Sequence, residues 1–320
     1  MLYRKLGKTE MEVSVIGFGC WPVGNDWTGA SDENSIRVIN KAVDCGINFF
    51  DVAPIYGFNH AEVVLGRALK GKRDKVYIAS KCGLKWDESR TRVWRDLSKA
   101  SVLQEIDDSL RRLDTDYIDL MQLHWHDINT PLSETYEALN EAKEKGKIRH
   151  IGVSNFSQIL LEQAMQCGEV ASNQVLYNMI DRNSDRYHEL PLVYRTEDEI
   201  LPFCEKHQIG VIPYSPLLQG LLAGNFERDK LIDRDARLPN PQLQGERLER
   251  NLRTAKKLQA VAEKYNRPMA QMALNWLIAK QAISTIIAAP ITEAEVEQNV
   301  ASLEWELTPE MLADIEQALS

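Results

Sequence analysis

The sequence predicts an α/β fold, a (β/α)8 TIM barrel with an N-terminal β-hairpin and extra helices after strand 7 and at the C-terminus. Short apolar segments alternate with amphipathic stretches of helical period, and eight such units follow one another along the 320 residues. Strict alternation predicts parallel strands joined by right-handed crossovers. An open doubly wound sheet accepts the same order, but the strand count and a spacing of roughly 25 to 45 residues favour a closed barrel. We therefore expect residues 1–320 to form a single barrel domain.

Each predicted strand is a short apolar run bounded by turn-forming or helical sequence. The predicted strands are 12–18, 48–51, 75–81, 117–124, 148–154, 172–178, 210–215 and 284–290.

The segments between the strands have the apolar periodicity of helices that cover a sheet. Clear examples are residues 35–46, 61–71, 102–113 and 133–146. The predicted helix starts, where a hydroxyl can accept a backbone N–H, are Ser31, Ser133 and Thr292. The predicted helix ends, where glycine readily takes a positive φ, are Gly46, Gly71 and Gly146.

One interval is longer than the others, because 68 residues separate the seventh and eighth strands. It contains an irregular polar stretch, 226–245, and two predicted helices at 246–264 and 268–280. We interpret it as an elaborated seventh loop, not as a domain boundary. A final helix is predicted to begin after Thr308, with Pro309 at its first position.

Composition excludes several classes of function. The net charge of −9 disfavours binding to nucleic acid or to an anionic membrane surface. The five cysteines are scattered without a CxxC pair, which is typical of a reducing compartment. The N-terminus has no apolar signal-peptide core, and we find no apolar run near 20 residues. We therefore expect a cytoplasmic protein.

Active sites of such barrels lie at the carboxyl ends of the strands, so polar residues at those ends are the candidate site. Asp51, Lys81 and His124 end the second, third and fourth predicted strands, and Tyr56 lies in the loop after Asp51. Other polar residues at or near the carboxyl ends of later strands are Ser154, Asn155, Gln174, Tyr214 and Ser215.

The first four of these residues predict a proton relay. An unperturbed tyrosine has a pKa near 10, which is too high for efficient proton exchange at neutral pH. We expect the Lys81 cation to lower the pKa of Tyr56 and Asp51 to orient Lys81. His124 can hydrogen-bond a substrate carbonyl. The relay supplies no hydride, so a cofactor is required.

Seven successive motifs identify a family. They are GFGCW, NFFDVAPIYG, IASKCG, DYIDLMQLHW, RHIGVSNFS, NQVLYN and PYSPLLQGLLAG. In this order they resemble the signatures of the aldo-keto reductase superfamily, and the resemblance covers residues 4 to 320. Within the superfamily the chain is most similar to the bacterial sugar- and inositol-related branch.

The resemblance implies NAD(P)-dependent interconversion of carbonyls and alcohols, with Tyr56 as the general acid/base. It also implies that Lys81 and Asp51 adjust the pKa of Tyr56 and that His124 orients the carbonyl. It implies that Ser154, Asn155 and Gln174 bind the nicotinamide carboxamide and that Tyr214 stacks on the nicotinamide ring. The remaining implied cofactor contacts are Cys20, Trp21, Ser215, Leu217 and Gly220, the last three at the pyrophosphate, and Asn299 at the adenine.

Four tryptophans on predicted loops, Trp21, Trp27, Trp86 and Trp125, are candidate walls of a substrate pocket, with loop packing as the alternative. His124 and His126 lie two residues apart and invite a metal interpretation, but we expect no metal site.

The chain departs from the family after the eighth strand, where many members carry basic residues that bind the 2′-phosphate of NADP. Here Ala289, Ile291 and Glu295 occupy such positions. Glu295 could bind a free ribose hydroxyl or could close a capping box with Thr292. We expect NAD(H) to be used at least as well as NADP(H).

Two functions from different classes follow from the resemblance. The first is an oxidoreductase that acts on a small carbonyl or polyol, such as an aldehyde, a ketone or a sugar. The alternative is a cofactor-binding regulatory subunit on the same barrel, as in channel-associated members of the superfamily.

Overall fold

The computed structural model describes residues 1–188, 190–224 and 226–320. The strands in the described residues are β1 (Tyr3–Lys5), β2 (Glu12–Ser14), β3 (Ile16–Gly19), β4 (Phe49–Asp51), β5 (Tyr77–Cys82), β6 (Leu84–Trp86), β7 (Val93–Arg95), β8 (Ile118–Leu123), β9 (Ile148–Ser154), β10 (Ser172–Leu176), β11 (Arg186–Tyr187), β12 (Leu190–Pro191), β13 (Gly210–Tyr214) and β14 (Ile286–Ala288).

The helices of the same residues are α1 (Asp32–Asp44), α2 (His60–Ala68), α3 (Lys99–Leu113), α4 (Leu132–Glu144), α5 (Gln158–Cys167), α6 (Leu201–His207), α7 (Gly245–Lys264), α8 (Met269–Ile278), α9 (Glu293–Ala301) and α10 (Pro309–Leu319). A π-helical turn, Thr196–Ile200, precedes α6.

Eight parallel strands form the predicted barrel. Their hydrogen-bonded order is β13-β10-β9-β8-β5-β4-β3-β14, which is the chain order of a (β/α)8 barrel opened between β13 and β14. A parallel bridge between Val211 and Ile283 joins these two sides. The carboxyl ends of all eight strands therefore meet at one end of the barrel.

The N-terminal hairpin closes the opposite end. β1 and β2 pair antiparallel, and Leu6, Met11 and Val13 are fully or almost fully buried. They form one apolar cluster with inward-facing residues of the barrel: Phe49, Ala79, Leu120, Ala171, Ile212 and Ile287. The hairpin thus fills the amino-terminal mouth of the barrel.

The first predicted strand, 12–18, is wrong as one element. β2 pairs with β1 in the hairpin, whereas β3 pairs with β4 and β14 in the barrel. Between them the Ser14 hydroxyl donates to the Ile16 carbonyl at 2.7 Å, a local hydrogen bond that competes with a continuous strand.

Most predicted helix boundaries are confirmed, with two exceptions. Ser31, Thr292 and Thr308 cap their helices through hydrogen bonds to backbone N–H groups. Ser133 is not a cap, because α4 begins one residue earlier behind Pro131, whose fixed φ of −59° suits the cap position. Gly71 lies beyond the end of α2, whose C-cap is Leu69.

The long interval before the last barrel strand has the predicted form. α7 and α8 occupy the two predicted helical segments, and short 3-10 turns at Arg228–Lys230 and Pro241–Leu243 interrupt the polar stretch. Among the residues described, no helix combines the length and apolarity needed to cross a bilayer.

The hairpin turn generates a stability prediction. Gly7 has φ +55°, and a Cβ there would lie 2.5 Å from the Ala171 carbonyl oxygen, which is backbone and cannot move freely. We expect Gly7→Ala to reduce the free energy of unfolding by at least about 3 kcal/mol, because steric overlap adds to the strain of positive φ.

Gly146→Ala is the matched control, since Gly146 has φ +72° but nothing within 4 Å of the added methyl group. It should cost only about 1 kcal/mol of conformational strain. Urea unfolding measures both variants, and equal losses would show that the hairpin turn is not tightly docked.

Candidate active site

The four residues of the predicted relay meet at the carboxyl end of the barrel. Asp51 ends β4, Lys81 lies in β5, and His124 follows β8. Tyr56 lies in the loop after β4. A cavity of about 810 Å³ opens beside them, and Asp51, Tyr56 and His124 are part of its wall.

Lys81 is the centre of the relay. Its side chain is fully buried, and its ammonium group donates to Asp51 Oδ2 at 2.6 Å, to Tyr56 OH at 3.0 Å and to the Val52 carbonyl at 3.2 Å. An ammonium has three protons and no acceptor, so these bonds use its full capacity. The Tyr56 oxygen must accept from Lys81, and its own proton is therefore free to point elsewhere.

The second oxygen of Asp51 is held by two amides. Gln174 Nε2 donates to Asp51 Oδ1 at 2.7 Å, and Gln122 Nε2 donates to the same oxygen at 3.2 Å. Gln122 was not a predicted site residue. Its position two residues before His124, on the same face of the strand, is the signal that could have indicated it.

The expected lowering of the Tyr56 pKa is wrong for this structure. Burial, followed by the negative charge of Asp51, raises the pKa of Tyr56 well above its usual value. The Lys81 cation lies within hydrogen-bond distance, but it is already neutralised by Asp51. Burial also lowers the pKa of Lys81, and Asp51 offsets part of that effect. Tyr56 is consequently protonated at neutral pH.

His124 is a neutral hydrogen-bonding group. Burial, and then the charge of Lys81, lowers its pKa well below its usual value. Its ring meets the Tyr56 ring edge to face at 6.2 Å between centroids. A neutral imidazole carries one N–H donor, so His124 and Tyr56 present two donors to the same part of the cavity.

The predicted cofactor residues share this cavity with the relay. Its wall includes Trp21, Ser154, Asn155, Gln174, Tyr214, Ser215, Leu217, Gly220, Glu295 and Asn299. Cys20 is fully buried and is not in the wall.

Asn155 organises the middle of this wall. Its amide nitrogen donates to Ser154 Oγ at 3.1 Å, and its amide oxygen accepts from Tyr194 OH at 2.8 Å and Tyr214 OH at 2.9 Å. The backbone of Asn155 takes φ +61°. These bonds fix the Tyr214 ring in the wall of the cavity.

The turn after β13 is tightly wound. Ser215, Leu218, Gln219 and Gly220 all have positive φ, and Gly220 reaches +101°. Turns of this kind can present backbone N–H groups to an anion, and here the N–H groups of Leu218 and Gly220 donate within the turn, to the Ser215 and Leu217 carbonyls at 3.0 Å. The turn lines the same cavity through Ser215, Leu217 and Gly220.

The carboxylate of Glu295 is committed to its own helix. Its Oε2 accepts from the backbone N–H of Ile291 at 2.7 Å and of Thr292 at 3.2 Å, and the capping box is complete. Glu295 and Asn299 nevertheless line the cavity, beside Ala289 and Ile291. Of the two roles that the sequence left open for Glu295, the side chain therefore has the capping-box role.

Three of the four predicted tryptophans line the cavity: Trp21, Trp27 and Trp125. Trp21 stacks on Tyr56 at 5.9 Å and an interplanar angle of 15°. Trp86 is not part of the wall, and its ring contacts Phe58 with 5.4 Å between centroids.

The seventh loop packs on the loop after β3 through Asp235, a residue that the sequence did not single out. The buried Asp235 carboxylate accepts from Thr28 N at 2.8 Å, from Thr28 Oγ1 at 2.6 Å and from Arg237 Nε at 2.8 Å. Burial alone would raise the pKa of Asp235, but these bonds lower it to about 2. The Arg237 guanidinium also lies 4.5 Å from the Trp27 ring centre.

Comparison with known proteins gives consistent matches over nearly the whole chain. The model of the Aldo/keto reductase family matches residues 15–320. The Aldo-keto reductase YhdN of Bacillus subtilis (strain 168) is 32% identical over 320 residues, which cover 98% of this chain and 92% of that protein. The NADH-specific methylglyoxal reductase of Escherichia coli (strain K12) is 33% identical over 318 residues, 95% of this chain and 94% of that protein.

A solved structure gives the same result. The glycerol dehydrogenase from Gluconobacter oxydans superposes with a TM-score of 0.85 at 33% identity, and the match covers 99% of this chain and 94% of that chain.

The buried ion pair generates a prediction about coupling. Removing one partner leaves an uncompensated buried charge, so Lys81→Met and Asp51→Asn should each reduce the free energy of unfolding by about 3–5 kcal/mol. The double variant should lose clearly less than the sum, with a coupling energy of at least about 2 kcal/mol in urea unfolding.

The surface pair Lys145–Glu141, also 2.6 Å apart but with Lys145 55% exposed, is the matched control. Its coupling energy should be far smaller than that of the buried pair, because solvent screens it. Coupling of less than about 1 kcal/mol between Asp51 and Lys81 would contradict the proposed dependence of each charge on the other.

Proposed function

The chain belongs to the aldo/keto reductase family of oxidoreductases, and from that premise we propose that it interconverts a carbonyl compound and its alcohol with Tyr56 as general acid/base. The observation that carries the proposal is the contact of Lys81 Nζ with both Asp51 Oδ2 and Tyr56 OH at the cavity wall. The family uses NAD(P)(H), and a bound nicotinamide supplies or accepts the hydride.

Proton transfer in the reducing direction starts from protonated Tyr56. Because Lys81 donates to the phenol oxygen, the Tyr56 proton is available to a carbonyl oxygen in the cavity. As an alkoxide develops there, Tyr56 donates this proton, and Lys81 stabilises the phenolate that remains. Asp51 keeps the Lys81 ammonium in position while its two amide partners hold Asp51.

His124 orients the carbonyl. Its low pKa leaves the ring neutral, so it donates one hydrogen bond without adding a positive charge beside Lys81. A second donor next to Tyr56 fixes the approach of the carbonyl oxygen. The apolar Trp21 and Trp27 rings reduce the access of water.

The cavity wall fits a nicotinamide dinucleotide. Ser154, Asn155 and Gln174 supply the hydroxyl and amide groups that a carboxamide needs, and Tyr214 supplies a fixed aromatic ring. The positive-φ turn at Gly220 suits the pyrophosphate. Leu217 and Asn299 extend the same wall toward α9, where the adenosine is placed by this proposal.

The general-acid role predicts the effect of Tyr56→Phe. Losing the proton donor should lower kcat by at least about 100-fold, because positioned acid catalysis is typically worth that much. Cofactor binding, followed by quenching of tryptophan fluorescence on addition of NADH or NADPH, should persist, since the cofactor contacts are on other residues.

Tyr3→Phe is the matched control, because the Tyr3 hydroxyl is exposed and donates to the Gly46 carbonyl at 2.9 Å, at the opposite end of the barrel from the cavity. It should retain wild-type turnover. If Tyr56→Phe also retains wild-type turnover in a folded protein, the proton-relay proposal fails.

We further propose that NAD(H) is used at least as well as NADP(H). Residues 289–299 carry no cation, and Glu295 is committed to its capping box. Among the described residues of the wall the cations are Lys230 and Arg237, and each is paired with a carboxylate at 2.7 Å, Glu227 and Asp235 respectively. The Escherichia coli relative, named as NADH-specific, is consistent with this reading.

The cofactor proposal predicts kcat/KM values for NADH that equal or exceed those for NADPH with the same aldehyde. Absorbance at the nicotinamide band measures both. A 2′-phosphate has no unpaired cation to bind among the described wall residues, so it should gain no affinity. A preference for NADPH of about a hundredfold would overturn the proposal.

A further inference from the structure

Gln122 lies in β8 inside the barrel, and its side chain is fully buried. It is not part of the cavity wall, so it does not itself touch a ligand in the cavity. Its amide is nevertheless bonded to two residues of the site, Asp51 of the proton relay and Gln174 of the proposed carboxamide contact. Any role of Gln122 in the reaction therefore acts through these two neighbours.

The chemistry of Asp51 fixes which end of the Gln174 amide faces it. Asp51 is paired with Lys81 at 2.6 Å, and a carboxylate can only accept hydrogen bonds. The Gln174 atom that lies 2.7 Å from Asp51 Oδ1 must therefore be the amide nitrogen, Nε2. The amide oxygen of Gln174, Oε1, is then directed away from Asp51.

The Oε1 atom of Gln174 is open to the cavity. Gln174 lines the cavity, and no described residue donates a hydrogen bond to its Oε1. This oxygen is also not fully buried, so its exposed surface faces the cavity. Gln174 thus offers an acceptor there, which suits the N–H groups of a carboxamide.

Gln122 engages the second proton of the Gln174 nitrogen. Gln122 Oε1 accepts from Gln174 Nε2 at 3.4 Å, while Gln122 Nε2 donates to Asp51 Oδ1 at 3.2 Å. An amide nitrogen has two protons, so Asp51 and Gln122 together use both protons of Gln174. The three side chains form a closed ring of hydrogen bonds, and each amide has a single orientation that satisfies it.

We propose that Gln122 is a positioning residue for cofactor recognition, which fixes the Gln174 amide so that its Oε1 accepts from the nicotinamide carboxamide. This inference rests on the proposed function, which places the carboxamide at Gln174. Without Gln122, the Gln174 side chain keeps one bond to Asp51 and pivots about it. A displaced acceptor costs affinity only for a ligand that has an N–H to donate.

The same ring links the cofactor contact to the proton relay. Asp51 Oδ2 accepts from Lys81, and Asp51 Oδ1 accepts from both amides. The buried cation therefore orients the carboxylate, the carboxylate orients Gln174, and Gln122 holds Gln174 in that orientation.

The experiment measures dissociation constants for two reduced cofactors, NADH and its 3-acetylpyridine analogue, in which a methyl ketone replaces the carboxamide. The analogue keeps the carbonyl oxygen but has no N–H to donate. Quenching of tryptophan fluorescence gives both constants for wild-type and Gln122→Leu protein, where leucine is of similar size and has no polar side-chain atom. The ratio of the two constants cancels any general loss of binding or of folded protein.

We expect wild-type protein to bind NADH at least about tenfold more tightly than the analogue, because the analogue leaves Gln174 Oε1 unpaired. Gln122→Leu should raise Kd for NADH by at least about sixfold and Kd for the analogue by less than about twofold. The preference for NADH should therefore fall by at least about threefold. A smaller fall would overturn the inference, since a purely structural role weakens both cofactors equally.

Gln122→Glu tests the same contacts by restoring them in one protonation state. A protonated carboxyl group donates to Asp51 and accepts from Gln174, as the native amide does, whereas an ionised one repels Asp51. The adjacent Asp51 charge favours the protonated form, and Lys81 is already paired with Asp51. At about pH 6 the preference for NADH should be at least half the wild-type value. A lower preference would contradict the proposed contacts.

Gln104→Leu is the matched control. The Gln104 amide also donates to a carboxylate, Asp108 at 2.9 Å, but on the exposed face of α3. This variant should leave both dissociation constants unchanged.

The outcomes also distinguish this inference from the proposed function. Absence of NADH binding, or wild-type protein that binds NADH and the analogue equally, would count against the proposed placement of the nicotinamide. A wild-type preference for NADH that persists unchanged in Gln122→Leu would count against the role of Gln122 alone.

Discussion

The candidate site depends on one buried cation, the ammonium of Lys81. A lone charge in this position would be strongly unfavourable, and three acceptors arranged around it make it tolerable: a carboxylate, a backbone carbonyl and a phenol oxygen. The geometry has a chemical consequence, because a donor-only group forces Tyr56 to accept. Lys81 thus determines that the Tyr56 proton points away from it. Asp51, and the two strands that carry Asp51 and Lys81, hold Lys81 in place.

Strand counting predicted much of this arrangement. Asp51 and Lys81 lie in the adjacent strands β4 and β5. Parallel pairing of these two strands is enough to bring their carboxyl ends together. Gln122 was missed because it lies within an apolar strand, where a single amide does not stand out as a site residue. Asp235 was missed for a different reason: its partner Thr28 is 207 residues away, and no local pattern specifies where a long polar loop will dock.

The errors share a physical origin. Each prediction from the sequence considered a residue with its near neighbours in the chain, whereas the burial of that residue depends on the whole fold. A lysine near a tyrosine should lower its pKa, but inside this wall the loss of water and the charge of Asp51 act in the opposite direction on Tyr56. Ser133 is a good cap by composition, yet Pro131 already fixes the backbone at the start of α4. Trp86 follows a barrel strand, yet it lies in the β6–β7 hairpin and packs against Phe58 without being part of the cavity wall.

The burial that raises the pKa of Tyr56, against the prediction, suits the proposed chemistry. A tyrosine with a raised pKa holds its proton at neutral pH, and a histidine with a lowered pKa stays neutral, so Tyr56 and His124 both enter the reducing direction as uncharged donors. Lys81 is paired with Asp51, and Arg237 with Asp235, so these charges of the resting site are balanced. In the proposed reaction, negative charge develops on the reacting oxygen beside donors that are already oriented, so little reorganisation is needed to stabilise it.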